Sequence, residues 1–345
     1  MIAASVPVQR PLGAKLLVAG RDGRIEHWPR SELGTLFQPG DLVIANDAAT
    51  LPASLPGHHV PSGRRVEVRL AGRNSLDMDQ VTRFSAVLFG LGDFLMRTED
   101  RPAPPAVQSG DRLSLGPLSA RVSRLLNHPR LVELEFSGSS GQIWEGLARH
   151  GRPIQYSHIP VPLELWDTWT PIAGPPVAFE PPSAGFVLDW NTLESMATRG
   201  VRFATITHAA GISSTGEPDL DARLPFDEPY RIPLSTATAI AHAREDGRRL
   251  LAIGTTVVRA LEHAGASDGI VRAGEGLATQ KIGPFSRVGI VDGILTGTHE
   301  PGTSHYELLR AFADDRTLRR VDQELTAHAY RTHEFGDSVF LARRS

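Results

Sequence analysis

The chain has 345 residues and no cysteine, which excludes disulfides, thiolate zinc sites and a cysteine nucleophile. Lysine is nearly missing too: Lys15 and Lys281 are the only two, and arginine supplies the other basic charges. The net charge of −3 leaves no global basic field of the kind that marks many dedicated nucleic-acid binders. No apolar run reaches the length of a membrane span. The start, MIAASVPVQRPLG, lacks the basic residues and apolar core of a signal peptide. A cytoplasmic protein with no membrane partner is the expectation. Also missing are a Gly-x-Ser-x-Gly elbow, a zinc-protease helix, a P-loop and a dinucleotide fingerprint. His58, His59, His128, His150 and His158 show no ligand spacing, so no metal is expected.

What remains is an ordinary globular composition, 41% hydrophobic and 22% charged, long enough for two domains or one with an insertion. The segment Pro39 to Leu55 is the most informative. A Pro-Gly-Asp turn leads into Leu42-Val43-Ile44-Ala45, a short apolar run that reads as a buried strand and stops at Asn46-Asp47. In open α/β sheets, residues at such strand ends contact ligands, although Asn and Asp also cap turns. From about Pro56 to Phe136, short and partly alternating segments separated by Gly, Pro, Asn and Asp predict a small β-barrel or sandwich. Beyond Gln142, strands and helices alternate, which predicts an α/β layer architecture. The expected helices include 142–149, 190–198, 235–246 capped by Ser235, 257–264 and 318–330; 288–295 reads as a strand or hairpin. The expected division is a main α/β domain over 1–56 and 142–345, with an inserted β-barrel over 57–141.

Several segments could carry chemistry. Ile253-Gly254-Thr255-Thr256 is a strand, a glycine turn and a helix start, and Arg259 lies one turn further on. A helix N-terminus exposes unpaired N–H groups that suit a carboxylate or phosphate. The small-residue turn Ser183-Ala184-Gly185 suits close packing against a flat ligand such as adenine. His208 ends an expected strand and His299 sits in a turn, positions from which an imidazole can act as acid or base. Asp337, in Gly336-Asp337-Ser338, either orients a base or caps its turn.

Taken in order, these segments resemble the S-adenosylmethionine:tRNA ribosyltransferase-isomerase family of queuosine biosynthesis. The Pro39–Leu55 stretch is similar to the family's PGDLLVxNDTRVxPARL signature, and Pro182-Ser183-Ala184-Gly185 resembles its Pro-Thr-Ala-Gly motif. Ala252 to Glu262 looks like AVGTTSVRTLE almost residue for residue, and Val291 to Pro301 matches VDGLITNFHLP in part. Tyr330-Arg331 and Gly336-Asp337 match the C-terminal YRFFSYGDAM. The resemblance implies an α/β domain interrupted by a small β-barrel. It implies transfer and isomerisation of the ribosyl group of S-adenosylmethionine onto 7-aminomethyl-7-deazaguanine in tRNA, with release of adenine and methionine. S-adenosylmethionine is then a co-substrate and tRNA the partner.

By position, His208 and His299 become candidates for proton transfer, together with Asp337. Thr255, Thr256 and Arg259 become candidates for the methionine carboxylate, and Asn46 and Asp47 for ribose or base. Ser183, Ala184, Gly185 and Gly254 join this cofactor-binding set, while Glu228, Tyr330 and Arg331 are expected to contact substrate. The chain also departs from the family's pattern. The Leu-His-Phe after Pro-Thr-Ala-Gly is Phe186-Val187-Leu188 here; a Met-His-x-Glu segment keeps only Glu228; an aromatic pair becomes Thr332-His333. A kept scaffold with a changed lining implies, as alternatives, a small-molecule acceptor in place of tRNA or a non-catalytic nucleoside- or RNA-binding role.

Overall fold

A computed structural model describes residues 1–344. Its centre is the strand Leu42–Asn46, whose residues Leu42 to Ala45 are all completely buried. A strand covered on both faces reads as an uninterrupted apolar run, and its alternation shows only in where the side chains go. Leu42 and Ile44 pack with the helices Leu234–Glu245 and Thr255–Ala264 through Ile240, Val257 and Leu261. Val43 and Ala45 point the other way, toward Phe37, Leu188 and Met196, the last on the helix Trp190–Thr198.

This strand lies within a nine-stranded sheet. Arg202–His208 on one side and Leu250–Ile253 on the other run parallel to it, and Gly293–Gly297 extends the parallel set. The sheet continues antiparallel at both ends, through Glu228–Ile232 and Gly274–Ala278 on one flank. On the other flank Ser338–Ala342 pairs antiparallel with Gly293–Gly297 and parallel with Lys15–Ala19, and Ile25–Pro29 closes the edge antiparallel. Four adjacent strands therefore present their carboxyl ends along one edge, where open α/β sheets bind ligands.

Between Leu42–Asn46 and the next strand of the sheet, Arg202–His208, the chain builds a closed six-stranded barrel, from Ser54–His59 to Leu131–Phe136. Its neck is a pair of backbone hydrogen bonds, each 2.9 Å, exchanged between Ser54 and Arg152. The helix Ser140–His150 starts in a Ser139–Gln142 capping box and ends at Gly151. Expected with the main domain, it instead buries Ile143 and Leu147 in the barrel core. Periodicity reports that a helix has an apolar face but not which core receives it.

Other boundaries also shift. The helix Leu234–Glu245 has Pro233 at its N-cap, with extended backbone, so Ser235 lies inside the first turn and caps nothing. The strand expected over 288–295 is confined to Gly293–Gly297, and the last long helix is Asp315–Ala327.

The barrel holds a buried charge cluster. Glu67 accepts from Arg69 Nε at 2.7 Å and Arg101 Nη1 at 2.5 Å, and both guanidiniums lie over the Phe89 ring. Removing the carboxylate strands two buried cations, a change that costs about 3–5 kcal/mol where it has been measured. Glu67→Gln should therefore lower the urea-unfolding free energy by roughly that amount. A Glu67→Leu/Arg69→Leu/Arg101→Met triple variant should recover most of the loss.

Candidate active site

The end of the central strand is locked by its own polar residues. Asn46 Nδ2 donates to the His208 carbonyl and Oδ1 accepts from the His208 amide, both at 2.9 Å; Oδ1 also accepts from Ala48 N at 3.0 Å. The carboxamide thus takes the place of one more residue of strand pairing. Asp47 accepts from Thr205 Oγ1 at 2.9 Å and Thr207 Oγ1 at 2.7 Å. Neither side chain lines the cavity described next: both clamp strand ends, and Asn46 Nδ2 also donates to Thr256 Oγ1 on the cavity wall at 3.4 Å.

Beyond that clamp lies a cavity of about 540 Å³ at the carboxyl edge of the parallel strands, a size suited to a small-molecule ligand. One wall is Gly254 to Thr256. Gly254 is the N-cap of the following helix, with φ +100°. That positive φ is what favours glycine here; a Cβ would meet Ala184 Cβ at 3.4 Å, an ordinary contact. The amides of Thr255 and Thr256 have no acceptor among the described residues, leaving an open helix N-terminus. Ser183 and Ala184 face it, while Gly185 sits against Thr170 outside the lining.

The floor is a buried ion pair. Arg259 donates to Glu228 through Nη1, to the Phe226 and Ala278 carbonyls through Nη2 at 2.8 Å each, and to the Gln280 carbonyl through Nε at 3.0 Å. Expected as a carboxylate ligand, this guanidinium is already committed to the protein. Glu228 also accepts from Gly211 N at 2.6 Å; burial lifts its pKa, and Arg259 only partly offsets that. His208 is fully buried behind Glu228, with Nε2 at 3.3 Å from Oε2 but off the angle a hydrogen bond needs. Burial and the Arg259 charge push its pKa down to about 3, so the imidazole is neutral, and it does not reach the cavity.

The opposite wall is rich in histidine. His299 Nε2 pairs with Thr296 Oγ1 at 2.7 Å, and its ring stacks on His305 at 4.9 Å. Burial, with His305 and His333 nearby, holds His299 well below its ordinary pKa. His158 stacks on His333 at 4.1 Å and pairs with Glu334 at 3.0 Å. His333 has φ +69°, a left-handed backbone uncommon outside glycine. Burial pushes Glu334 up, but the His158 hydrogen bond and the neighbouring histidines outweigh it and leave the carboxyl below its usual range. His158, His333 and Glu334 lie close enough to be considered as metal ligands. Their two rings are stacked within 18° of parallel, and His158 Nε2 is already paired with Glu334. His27, Glu324 and His328 form a second such group, with the two rings stacked at 4.0 Å.

Sequence reasoning missed Glu180 and Tyr156. Tyr156 donates to Glu180 Oε1 at 2.5 Å, and Ser213 N donates to the same oxygen at 3.1 Å. Burial lifts Glu180 to about 7; the Tyr156 hydrogen bond opposes the rise and nearby Glu334 adds to it. The available signal was a carboxylate closing the apolar run Val177-Ala178-Phe179, directly before Pro181-Pro182-Ser183. Three more expected site residues lie outside the cavity, besides Asn46, Asp47, Gly185 and His208. Tyr330 OH pairs with His27 Nδ1 at 2.9 Å, and Arg331 is exposed on a short edge strand. Asp337 accepts from Lys15 N at 2.7 Å and Arg331 N at 2.8 Å, which makes it a cap for backbone amides.

Comparisons with known proteins agree in one direction. The model of the family described as "Queuosine biosynthesis protein" matches residues 1–341. An S-adenosylmethionine:tRNA ribosyltransferase-isomerase of Thiobacillus denitrificans is 32% identical over 320 residues, covering 91% of this chain and 86% of its own. One of Geobacter sulfurreducens is 32% identical over 352 residues, covering 99% and 96%. The crystal structure of S-adenosylmethionine tRNA ribosyltransferase from Thermotoga maritima superposes with a TM-score of 0.51 at 23% identity, covering 98% of this chain and 96% of the other. It shares the fold.

The raised Glu180 pKa has a consequence for stability. In the unfolded chain this carboxyl ionises near 4.5, whereas in the fold it keeps its proton to about 7. Between those values the folded state binds more protons, so this contribution to stability falls as pH rises and is gone above the folded value. The difference in urea-unfolding free energy between wild type and Glu180→Gln should shift in favour of the variant between pH 5 and pH 8 (pH settings chosen to bracket the window). A difference independent of pH would contradict the shift.

Proposed function

The chain belongs to the family of queuosine biosynthesis proteins, and we propose that it carries out the reaction named for its relatives. In that reading it transfers and isomerises the ribosyl group of S-adenosylmethionine onto 7-aminomethyl-7-deazaguanine in tRNA, releasing adenine and methionine. The observation that carries the proposal is where the family-like segments meet. Pro182 to Ala184, Gly254 to Thr256 and Thr296 to His299, far apart in sequence, line one cavity at the carboxyl edge of the sheet.

The chemistry makes three demands. The methionine carboxylate needs an anion site, for which the free amides of Thr255 and Thr256 at the N-terminus of a ten-residue helix are suited. The adenine needs a flat surface, for which the small residues Ser183, Ala184 and Gly254 on one cavity wall are suited. The sulfonium acidifies the neighbouring C5′ protons, so a neutral imidazole such as His299 suffices as a base near it. Arg259 and Glu228 support this site from beneath.

Incubation with S-adenosylmethionine and tRNA bearing the aminomethyl-deazaguanine should release adenine in step with tRNA modification. Adenine release only with a small amine, or tight binding of S-adenosylmethionine without any release, would overturn the proposal.

A further inference from the structure

Departure of adenine requires a group that can give up a proton at neutral pH with an atom free toward the cavity. Most candidates fail one condition or the other. His208 does not reach the cavity, and His299, held well below its ordinary pKa by burial, is neutral and has no acidic proton to give near neutrality. Glu228 is held by Arg259 and Gly211, and Glu334 is held ionised by His158.

Glu180 meets both. It lines the cavity, and the two prolines that follow, Pro181 and Pro182, fix the backbone beside it. Its Oε1 is anchored by Tyr156 OH and Ser213 N, and Tyr156 OH is in turn the acceptor for Ser214 N at 3.2 Å. Its Oε2 has no hydrogen-bond partner among the described residues and is not sealed from solvent. The charged and titratable groups facing this carboxyl are Tyr156, Glu334 across the cavity, and Arg69, whose guanidinium lies 5.5 Å from the Tyr156 ring on the barrel side.

We propose that Glu180 donates the proton to the departing adenine through Oε2, with Tyr156 as its positioning residue. The inference rests on the reaction proposed above. The C1′–N9 bond breaks with its electron pair going to the purine, and a lone pair of the ribose ring oxygen forms the compensating bond to C1′. The carboxylic proton moves onto a purine nitrogen. The carboxylate then takes one of the protons that the acceptor amine sheds as its new carbon–nitrogen bond forms, which restores the acid. No oxidant or further reactant is needed. A pKa of about 7 suits a group that must hold a proton and also give it up near neutrality.

The test compares wild type, Glu180→Gln and Tyr156→Phe. Glu180→Gln should reduce kcat for adenine release by about 10²–10⁴-fold, the usual worth of general acid–base catalysis, while calorimetric binding of S-adenosylmethionine persists. The wild-type kcat should decline above about pH 7. In Tyr156→Phe that limb should move to higher pH, because the lost hydrogen bond was holding the Glu180 pKa down. A merely structural tyrosine would leave the limb in place. Wild-type kcat in Glu180→Gln, or an unmoved limb in Tyr156→Phe, overturns the assignment.

A second readout does not depend on turnover. Infrared difference spectra of the wild type should show a protonated carboxyl band below pH 7 that shifts when adenine binds and is missing in Glu180→Gln. If the wild type releases no adenine, the proposed reaction fails by itself, and this band decides on Glu180: a band that adenine does not perturb, or no band, overturns the inference.

Discussion

The buried pair of Arg259 and Glu228 is the constraint from which the site is built. Both side chains are almost wholly buried, and an ion pair in that setting persists only when its remaining hydrogen-bonding capacity is met. Three carbonyls complete the guanidinium, and the Gly211 amide completes the carboxylate. The Gly211 contact anchors the loop that leaves Arg202–His208, and two residues further on that loop supplies the Ser213 amide held against Glu180. A charge pair at the floor thereby fixes a carboxyl on the wall. Burial keeps His208 neutral, and the Arg259 charge beside it adds to the effect.

The cavity divides its polar groups into two kinds. On the Gly254 side the donors are backbone amides at a helix start, fixed in position and unable to change protonation. On the histidine side stand groups whose surroundings push them apart: Glu334 ionised, His299 neutral, Glu180 near the middle. Separation of titratable groups into holders and givers of protons is what acid–base chemistry at neutral pH requires. The barrel takes part as well, because Arg97, Thr98 and Glu99 reach the cavity and Arg69 lies against Tyr156.

Much of this was legible in the residues. The run Leu42 to Ala45, the glycine turn at Gly254 and the helices closed by glycine are local signals, and local structure follows them. What the sequence hid is whatever depends on a partner distant in the chain. Asn46 carries the look of a ligand contact, yet its amide is consumed by His208, 162 positions away. Arg259 lies where a ligand would want it and is taken by Glu228. Tyr330 and Asp337 belong to matched motifs but hold backbone and His27 outside the cavity. Glu180 shows the reverse case: one acidic residue among prolines looks like a surface turn until Tyr156 and Ser213 are folded against it.

The position of Leu42–Asn46 bears on the order in which the molecule assembles. A ribosome delivers this apolar strand early, but neither of its sheet neighbours exists until the whole barrel has been made. The barrel needs only its own consecutive strands, so it can close while Leu42 to Ala45 still lack a sheet to join. The two hydrogen bonds between Ser54 and Arg152 then bring the chain's two exits together. That neck shortens the loop the central strand must close when Arg202–His208 at last emerges. The insertion that interrupts the sheet in sequence serves as the tether that completes it in time.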